Sequence, residues 1–432
     1  MHLSRYLKIY LCEDKPGHVL LFSTRQISLV QLPQETLRKL RNGDVSPDTA
    51  DTLARLGMLV ADRDKEKRDV CGLRDPKQTR SDTLRLIVVL NLDCNFACPY
   101  CFEGDLKGER YMADETARGL VAFIKDRITA ETKNILVDFY GGEPLLSTGQ
   151  IGSVSRALQA VAAEQNLTYT FGLVSNGSLF RRSVAEELVA LGLKNIQITL
   201  DGPRDLHDRS RPFTTGAGSF DVIVENIKAT CDLVGVSIGG NFSEETYPEF
   251  VRLLDCLEAE GLTPDKIAGV KFAPVTGRPQ RNGGPADFAV CMSINEPWLQ
   301  VAEKLLRAEI LKRGYYTPKP SPLPCMVDVE DALVVNYDGT LYKCPAFIGN
   351  EAYAVGDLQT GVRDYRAAYN LDLWKNDTCM ECDYLPLCFG GCRYMTFIRN
   401  GDITTPDCKK PYLDASLETL IKQDLKCRPK PG

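Results

Sequence analysis

The sequence predicts an α/β fold organised on a parallel sheet, and three observations predict it. Between Leu84 and Lys271, short apolar runs alternate with longer amphipathic stretches, the order produced by strand–helix units that pair in parallel. Motifs rich in glycine and polar residues follow those runs repeatedly, and α/β barrels gather their chemistry at the C-terminal ends of their strands. At 432 residues, 44% of them hydrophobic, the chain is long enough for two or three domains.

Taken in order, residues 4–62 read as a small separate unit. Tyr6–Cys12 and His18–Phe22 are short strands joined by the turn Lys15-Pro16-Gly17, and Gln26–Gln31 is a third strand. Pro33–Leu40 is helical, stopped by Gly43. Ser46 is placed to cap a second helix with Pro47 in its first turn, and Leu53, Leu56 and Leu59 mark its buried side. Residues 61–82 are charged and polar and read as a linker. The alternating region then predicts strands over 84–92, 134–140, 168–174, 194–200, 234–240 and 267–273. Helices are expected near 114–128, 149–164, 180–191, 220–233 and 244–260. Thr276–Asn295, rich in Gly, Pro and polar residues, reads as an insertion or lid. Glu296–Arg313 is an amphipathic helix, with Leu299, Ala302, Leu305, Leu306 and Ile310 on one side.

Composition narrows the function. A net charge of −6 argues against a broad nucleic-acid surface. No apolar run reaches membrane-spanning length. Charges within Met1–Lys8 argue against a signal peptide, so a cytoplasmic protein is expected. In that setting 16 cysteines point to metal or redox chemistry rather than disulfides, and three histidines are too few for a His-based metal centre.

Cys94, Cys98 and Cys101 form a C-x3-C-x2-C loop directly after the first strand, with Tyr100 before the third thiol. A [4Fe–4S] cluster takes four thiolates, and this loop supplies three. Zinc, the competing reading, recruits C-x2-C knuckles in pairs. Further motifs follow the next strands: Gly141-Gly142-Glu143-Pro144, Ser175-Asn176-Gly177, Leu200-Asp201-Gly202-Pro203 and His207–Arg211, with Asn241 after the fifth. A glycine pair lets backbone approach a neighbour closely. Ser175 and Asn176 offer groups for ribose or carboxylate oxygens, and Arg211 or Arg209 offers a fork for a carboxylate. His207 alone reads as a structural residue. Farther on, Cys325, Cys344, Cys379, Cys382, Cys388, Cys392 and Cys408 form a second array, with Asn336–Cys344 read as a hairpin turning at Asp338-Gly339.

The first array resembles the signature of the radical S-adenosylmethionine (SAM) family, and the second resembles its SPASM extension. The resemblance implies a partial (β/α)6 barrel over 84–294, a SPASM domain over 295–432, a winged-helix-like peptide-recognition domain over 1–65 and a linker over 66–83. It also implies SAM and three [4Fe–4S] clusters. One would be held by Cys94, Cys98 and Cys101, with SAM on its open iron; Tyr100, Gly141, Gly142, Glu143, Ser175, Asn176, Arg211 and Asn241 would surround SAM. A second would take Cys379, Cys382, Cys388 and Cys408. The third would have only Cys325, Cys344 and Cys392, completed by Cys291 or Cys427 or left with an open iron. Pro345 stands where sulfatase-maturing relatives carry an Asp base. The resemblance therefore implies a thioether-forming maturase of a ribosomal precursor peptide, of the ranthipeptide or geopeptide type. Its partners would be that peptide and an electron donor such as flavodoxin or ferredoxin. Carbon–carbon linkage, oxidation or epimerisation are the alternatives within the family. An iron–sulfur electron carrier and a zinc-dependent peptide-binding protein are the alternatives outside it.

Overall fold

A computed structural model describes residues 1–74, 81–276, 291–320 and 325–427. The six expected strands form as β1 (Thr83–Val89), β2 (Asn134–Tyr140), β3 (Thr168–Ser175), β4 (Leu193–Thr199), β5 (Gly235–Phe242) and β6 (Ile267–Pro274). Each pairs in parallel with the next. One face of this sheet, carrying Val88, Val137, Phe139, Phe171, Ile196 and Ile198, is fully buried, while the alternate residues Tyr140, Gln197 and Thr199 face a cavity. Helices Asp114–Asp126, Thr148–Gln165, Arg182–Ala190, Phe220–Thr230 and Phe250–Ala259 connect them. In the longest, Ile151, Val154 and Leu158 recur at helical spacing and are buried, each contributing about 1.5–3 kcal/mol.

Several boundaries differ from the sequence reading, among them the helix expected from 244, which starts at Phe250. β1 ends at Val89 although the apolar run continues to Leu92, because Leu92 bonds to Arg110 instead of continuing the ladder. A short helix, Arg204–Ser210, follows Pro203 and has no counterpart among the expected elements; seven residues are too few for a readable period.

The sheet does not stop at the barrel. β7 (Ala332–Val335) pairs in parallel with β1, and β8 (Thr340–Tyr342), β9 (Ala354–Asp357) and β10 (Gly361–Val362) extend it antiparallel, in the order β6-β5-β4-β3-β2-β1-β7-β8-β9-β10. The hairpin read at Asn336–Cys344 is the β7–β8 connection, with Gly339 at φ 87°.

The N-terminal unit has a three-stranded antiparallel sheet, Leu7–Leu11, His18–Ser23 and Leu29–Pro33. Helices Gln34–Asn42 and Pro47–Arg55 cover it, and Ser46 Oγ accepts from Thr49 N. Val19, Leu21, Leu32, Leu37, Leu40, Leu53 and Met58 give the unit its own core. The third strand starts later than the expected Gln26, because residues around Ile27 (φ 53°) make a tight turn closed by Ile27 N on Ser23 O. Part of the expected linker is helical: Arg63–Gly72 is capped by the Asp62 carboxylate, which accepts from Asp64 N and Lys65 N. Residues 75–80 of that linker and 277–290 of the expected lid lie outside the described residues.

This unit packs on the C-terminal cysteine region. Phe22 lies among Tyr384, Tyr412, Leu413 and Leu417, and Tyr6 and Val70 lie with Trp374, Leu385 and Phe389. Thr24 Oγ1 donates to Asp383 O at 2.8 Å. Among the described residues no helix is long and apolar enough to cross a membrane.

Candidate active site

A cavity opens at the C-terminal ends of β1 to β6. Cys94, Cys98, Tyr100 and Cys101 line one side, and Gly141, Gly142, Ser175, Asn176, Arg211 and Asn241 line the rest. Of the residues expected around SAM, only Glu143 stays out of its wall.

The cysteine loop is pinned at several points. Asp93 Oδ1 accepts from Cys94 N at 2.8 Å, Ala97 N donates to Pro212 O at 2.9 Å, and Lys107 Nζ donates to Phe96 O at 2.9 Å. Phe96 is buried edge-on against Phe213, with ring centroids 4.9 Å apart. The glycine pair answers a local demand. A Cβ on Gly141 would stand 2.4 Å from Asn91 O, and one on Gly142 would stand 2.0 Å from Asp93 O. The close approach is thus to the backbone that leads into Cys94, where Gly142 N donates to Asn91 O and Glu143 N to Asp93 O.

Glu143 does not present its side chain to the cavity, contrary to its expected place beside SAM. It is fully buried, and its carboxylate accepts from Leu145 N (2.9 Å), Ser175 Oγ (2.8 Å) and Asn176 N (2.8 Å). It braces the end of β2 against the end of β3. Burial raises its carboxyl, against the pull of those donors.

A second brace went unread in the sequence. Asp201, after β4, is buried and accepts from the Tyr100 hydroxyl and from Asn241 N at 2.7 Å. Arg211 Nη1 donates to the Tyr100 hydroxyl at 2.7 Å and lies 3.7 Å from Asp201. Tyr100, Asp201, Arg211 and Asn241 therefore form one network, and Arg211 Nε keeps no partner. Burial raises the Asp201 carboxyl, opposed chiefly by Arg211. His207 is a structural residue: Nδ1 accepts from Asp201 N at 3.1 Å, Nε2 faces Ser219 Oγ at 3.0 Å, and burial drives its pKa well below 6.5. Glu103 also lines the cavity. It is 2% exposed, one carboxylate oxygen has no partner, and burial pushes its pKa up to about 7. Burial likewise pushes the Cys94 thiol up to about 11. The signals for Asp201 and Glu103 were their places, after a strand and just past the third cysteine; their partners are tertiary.

Residues 88–257 match the family model described as the Radical SAM superfamily. That stretch carries the Cys94–Cys101 loop and the cavity residues Gly141, Gly142, Ser175, Asn176, Arg211 and Asn241. Relatives extend beyond it. A serine-type anaerobic sulfatase-maturating enzyme of Bacteroides thetaiotaomicron is 24% identical over 360 residues, 72% of this chain and 82% of that protein. PqqA peptide cyclase of Bradyrhizobium diazoefficiens is 23% identical over 371 residues, 81% of this chain and 91% of that protein. Among solved structures, native anSMEcpe with bound AdoMet and Cp18Cys peptide aligns with a TM-score of 0.62 at 17% identity, covering 80% of this chain and all (100%) of that one. Streptococcus suis SuiB bound to its precursor peptide SuiA aligns at 0.54 and 13%, covering 94% and 98%. These likenesses establish a shared fold.

Outside residues 88–257, seven of the remaining thiols fall into two groups. Cys379, Cys382, Cys388 and Cys408 border one small cavity. Cys325, Cys344 and Cys392 are electrostatic neighbours, and burial pushes the Cys344 thiol up to about 12. Neither candidate for a further ligand to that trio is free and buried beside it. Cys291 is buried with its thiol on Ser293 O at 3.2 Å, near Glu296 and Glu303, and Cys427 is exposed after the last helix. Among the described residues no group of three or more His, Cys, Asp or Glu side chains is arranged to hold a single metal ion.

Proposed function

We propose that this chain is a cytoplasmic radical SAM maturase that installs sulfur-to-carbon thioether crosslinks in a ribosomally made, Cys-containing precursor peptide. The observation that carries the radical chemistry is the strand-end cavity, where three thiols of one loop face glycine backbone and polar side chains from the neighbouring strands. That donor set fits a three-thiolate [4Fe–4S] cluster at Cys94, Cys98 and Cys101 with SAM across Gly141, Gly142, Ser175, Asn176 and Asn241. A cluster held there would supply one-electron reduction of bound SAM, the chemistry that initiates hydrogen abstraction from a peptide.

The residues of this chain do the positioning. Glu143 locks two strand ends so that the backbone at Gly141–Gly142 and at Asn176 keeps its place. The Tyr100–Asp201–Arg211 network fixes the far wall and leaves Arg211 Nε as an unused donor for a carboxylate.

The C-terminal region, 295–432, is read as a SPASM domain. Cys379, Cys382, Cys388 and Cys408 supply four thiolates for one auxiliary cluster; Cys325, Cys344 and Cys392 supply three for another. An incomplete set leaves room for a substrate thiolate, and Pro345 after Cys344 removes the base expected for sulfatase maturation. The thioether reading rests on those two features. Residues 1–65, followed by a connection over 66–83, are read as the leader-recognition domain, and 84–294 as the barrel. Flavodoxin or ferredoxin is the expected electron donor.

Mass spectrometry of a co-expressed precursor tests the reading. Loss of two hydrogens per link, with cysteines no longer alkylatable, is expected. Products whose thiols all remain alkylatable overturn the thioether assignment and favour a carbon–carbon link or epimerisation.

A further inference from the structure

Arg74 follows the helix Arg63–Gly72 and reaches into the C-terminal cysteine region. Its side chain is 9% exposed. Nη1 lies 3.2 Å from Asp328 Oδ2, and the guanidinium sits 4.4 Å from the centre of the Phe389 ring. Asp328 is shared: its Oδ1 accepts from Arg393 Nη2 at 3.1 Å. Arg393, 2% exposed, also donates to the Phe389 and Gly391 carbonyl oxygens, so it is built into the fold that precedes Cys392. Two buried guanidinium groups thus share one buried carboxylate. Asp328 lies three residues after Cys325 and Arg393 directly follows Cys392, so this ion cluster borders the thiol trio; Cys325 is an electrostatic neighbour of Asp328 and Arg393, and Arg74 of Cys325.

We propose that Arg74 is a positioning residue for the redox group at Cys325, Cys344 and Cys392: its buried charge raises that group's reduction potential. The inference rests on the auxiliary-cluster reading above. The physical ground is simple. Reduction adds negative charge to a cluster, so a nearby buried cation favours the reduced form. Arg393 is fixed by the local backbone, whereas Arg74 comes from the N-terminal part of the sequence, just after the helix Arg63–Gly72. The helix before it is held by Val70 packing with Tyr6, Trp374, Leu385 and Phe389. Docking of the N-terminal unit therefore delivers a charge to an electron-transfer site.

The test is a redox titration of the reconstituted full chain, followed by electron paramagnetic resonance, for wild type, Arg74→Met and Arg74→Lys. Arg74→Met keeps an apolar stem over Phe389 and removes the charge. The expected result is that one midpoint potential falls in Arg74→Met, the others stay, iron content is unchanged, and Arg74→Lys restores the potential. Unchanged potentials in Arg74→Met, or an equal fall in Arg74→Lys, overturn the charge role while leaving the maturase reading intact. A wild-type chain that takes up about eight irons instead of about twelve overturns the cluster at this trio, and the inference with it.

Discussion

The two cysteine regions are built by opposite means. In the barrel three thiols come from eight consecutive residues, and β1 places them; the loop is then clamped by neighbouring strand ends. In the C-terminal region, thiols as far apart in sequence as Cys325 and Cys392 are brought together by short helices, turns and buried ion pairs, Arg393 with Asp328 among them. Local spacing reveals a site of the first kind. A site of the second kind depends on long-range contacts, so it is sensitive to the loss of any one anchor.

That contrast can be broken experimentally, beginning with the largest effect. Cys98→Ala is expected to abolish SAM cleavage and to remove about four irons, whereas Cys379→Ala removes a similar amount of iron and leaves SAM cleavage measurable. Loss of cleavage in both would mean that the two regions are not separable. Gly142→Ala comes next. Its Cβ would meet Asp93 O at 2.0 Å, so a loss of about 1–3 kcal/mol is expected from overpacking, read by denaturant unfolding together with weakened SAM binding.

A pH series sharpens the picture of the barrel. The folded-state pKa of His207 lies well below 6.5, so the neutral ring is favoured in the fold and the unfolded chain takes up a proton first. Its stabilising contribution is therefore complete above about 6.5 and is lost as pH falls from there towards the depressed value, by about 1.4 kcal/mol for the first unit below. The buried carboxyls with raised pKa values act in the opposite direction, so the measured quantity is the difference in unfolding free energy between wild type and His207→Gln. That difference should shrink between pH 7.5 and pH 5.5; a constant difference would show that the ring is not held neutral. The smallest effect is expected from Cys291→Ala and Cys427→Ala. Both should leave iron content and cluster spectra unchanged, and a loss of about four irons in either would identify the fourth ligand of the trio.

The barrel was legible because its information is local. Runs such as Asn134–Tyr140 and Leu193–Thr199 are bounded by polar residues and glycine, and their ends coincide with the expected strands to within a residue. Gly141, Ser175, Asn176, Arg211 and Asn241, singled out by their places after strands together with the family resemblance, line one cavity. What escaped was pairing. Nothing near Asp201 in sequence says that Tyr100 will donate to it, and nothing near Glu143 says that its carboxylate will be consumed by the β3 turn. Phe22 alternates as a buried strand residue, yet its second packing surface, Tyr384 and Tyr412, comes from more than three hundred residues away.

The parallel contact between Ala332–Val335 and β1 has a consequence for how such chains can be recombined. β1 is the strand that ends in Cys94, and without Ala332–Val335 one side of its backbone, flanked by Leu84, Leu86 and Val88, becomes an open apolar edge. Such edges recruit strands from other molecules. A fragment cut before residue 332 would thus be adhesive as well as incomplete. A C-terminal region transplanted from a relative would have to bring its own replacement strand, in register with Arg85–Val88, before its cysteines mattered at all.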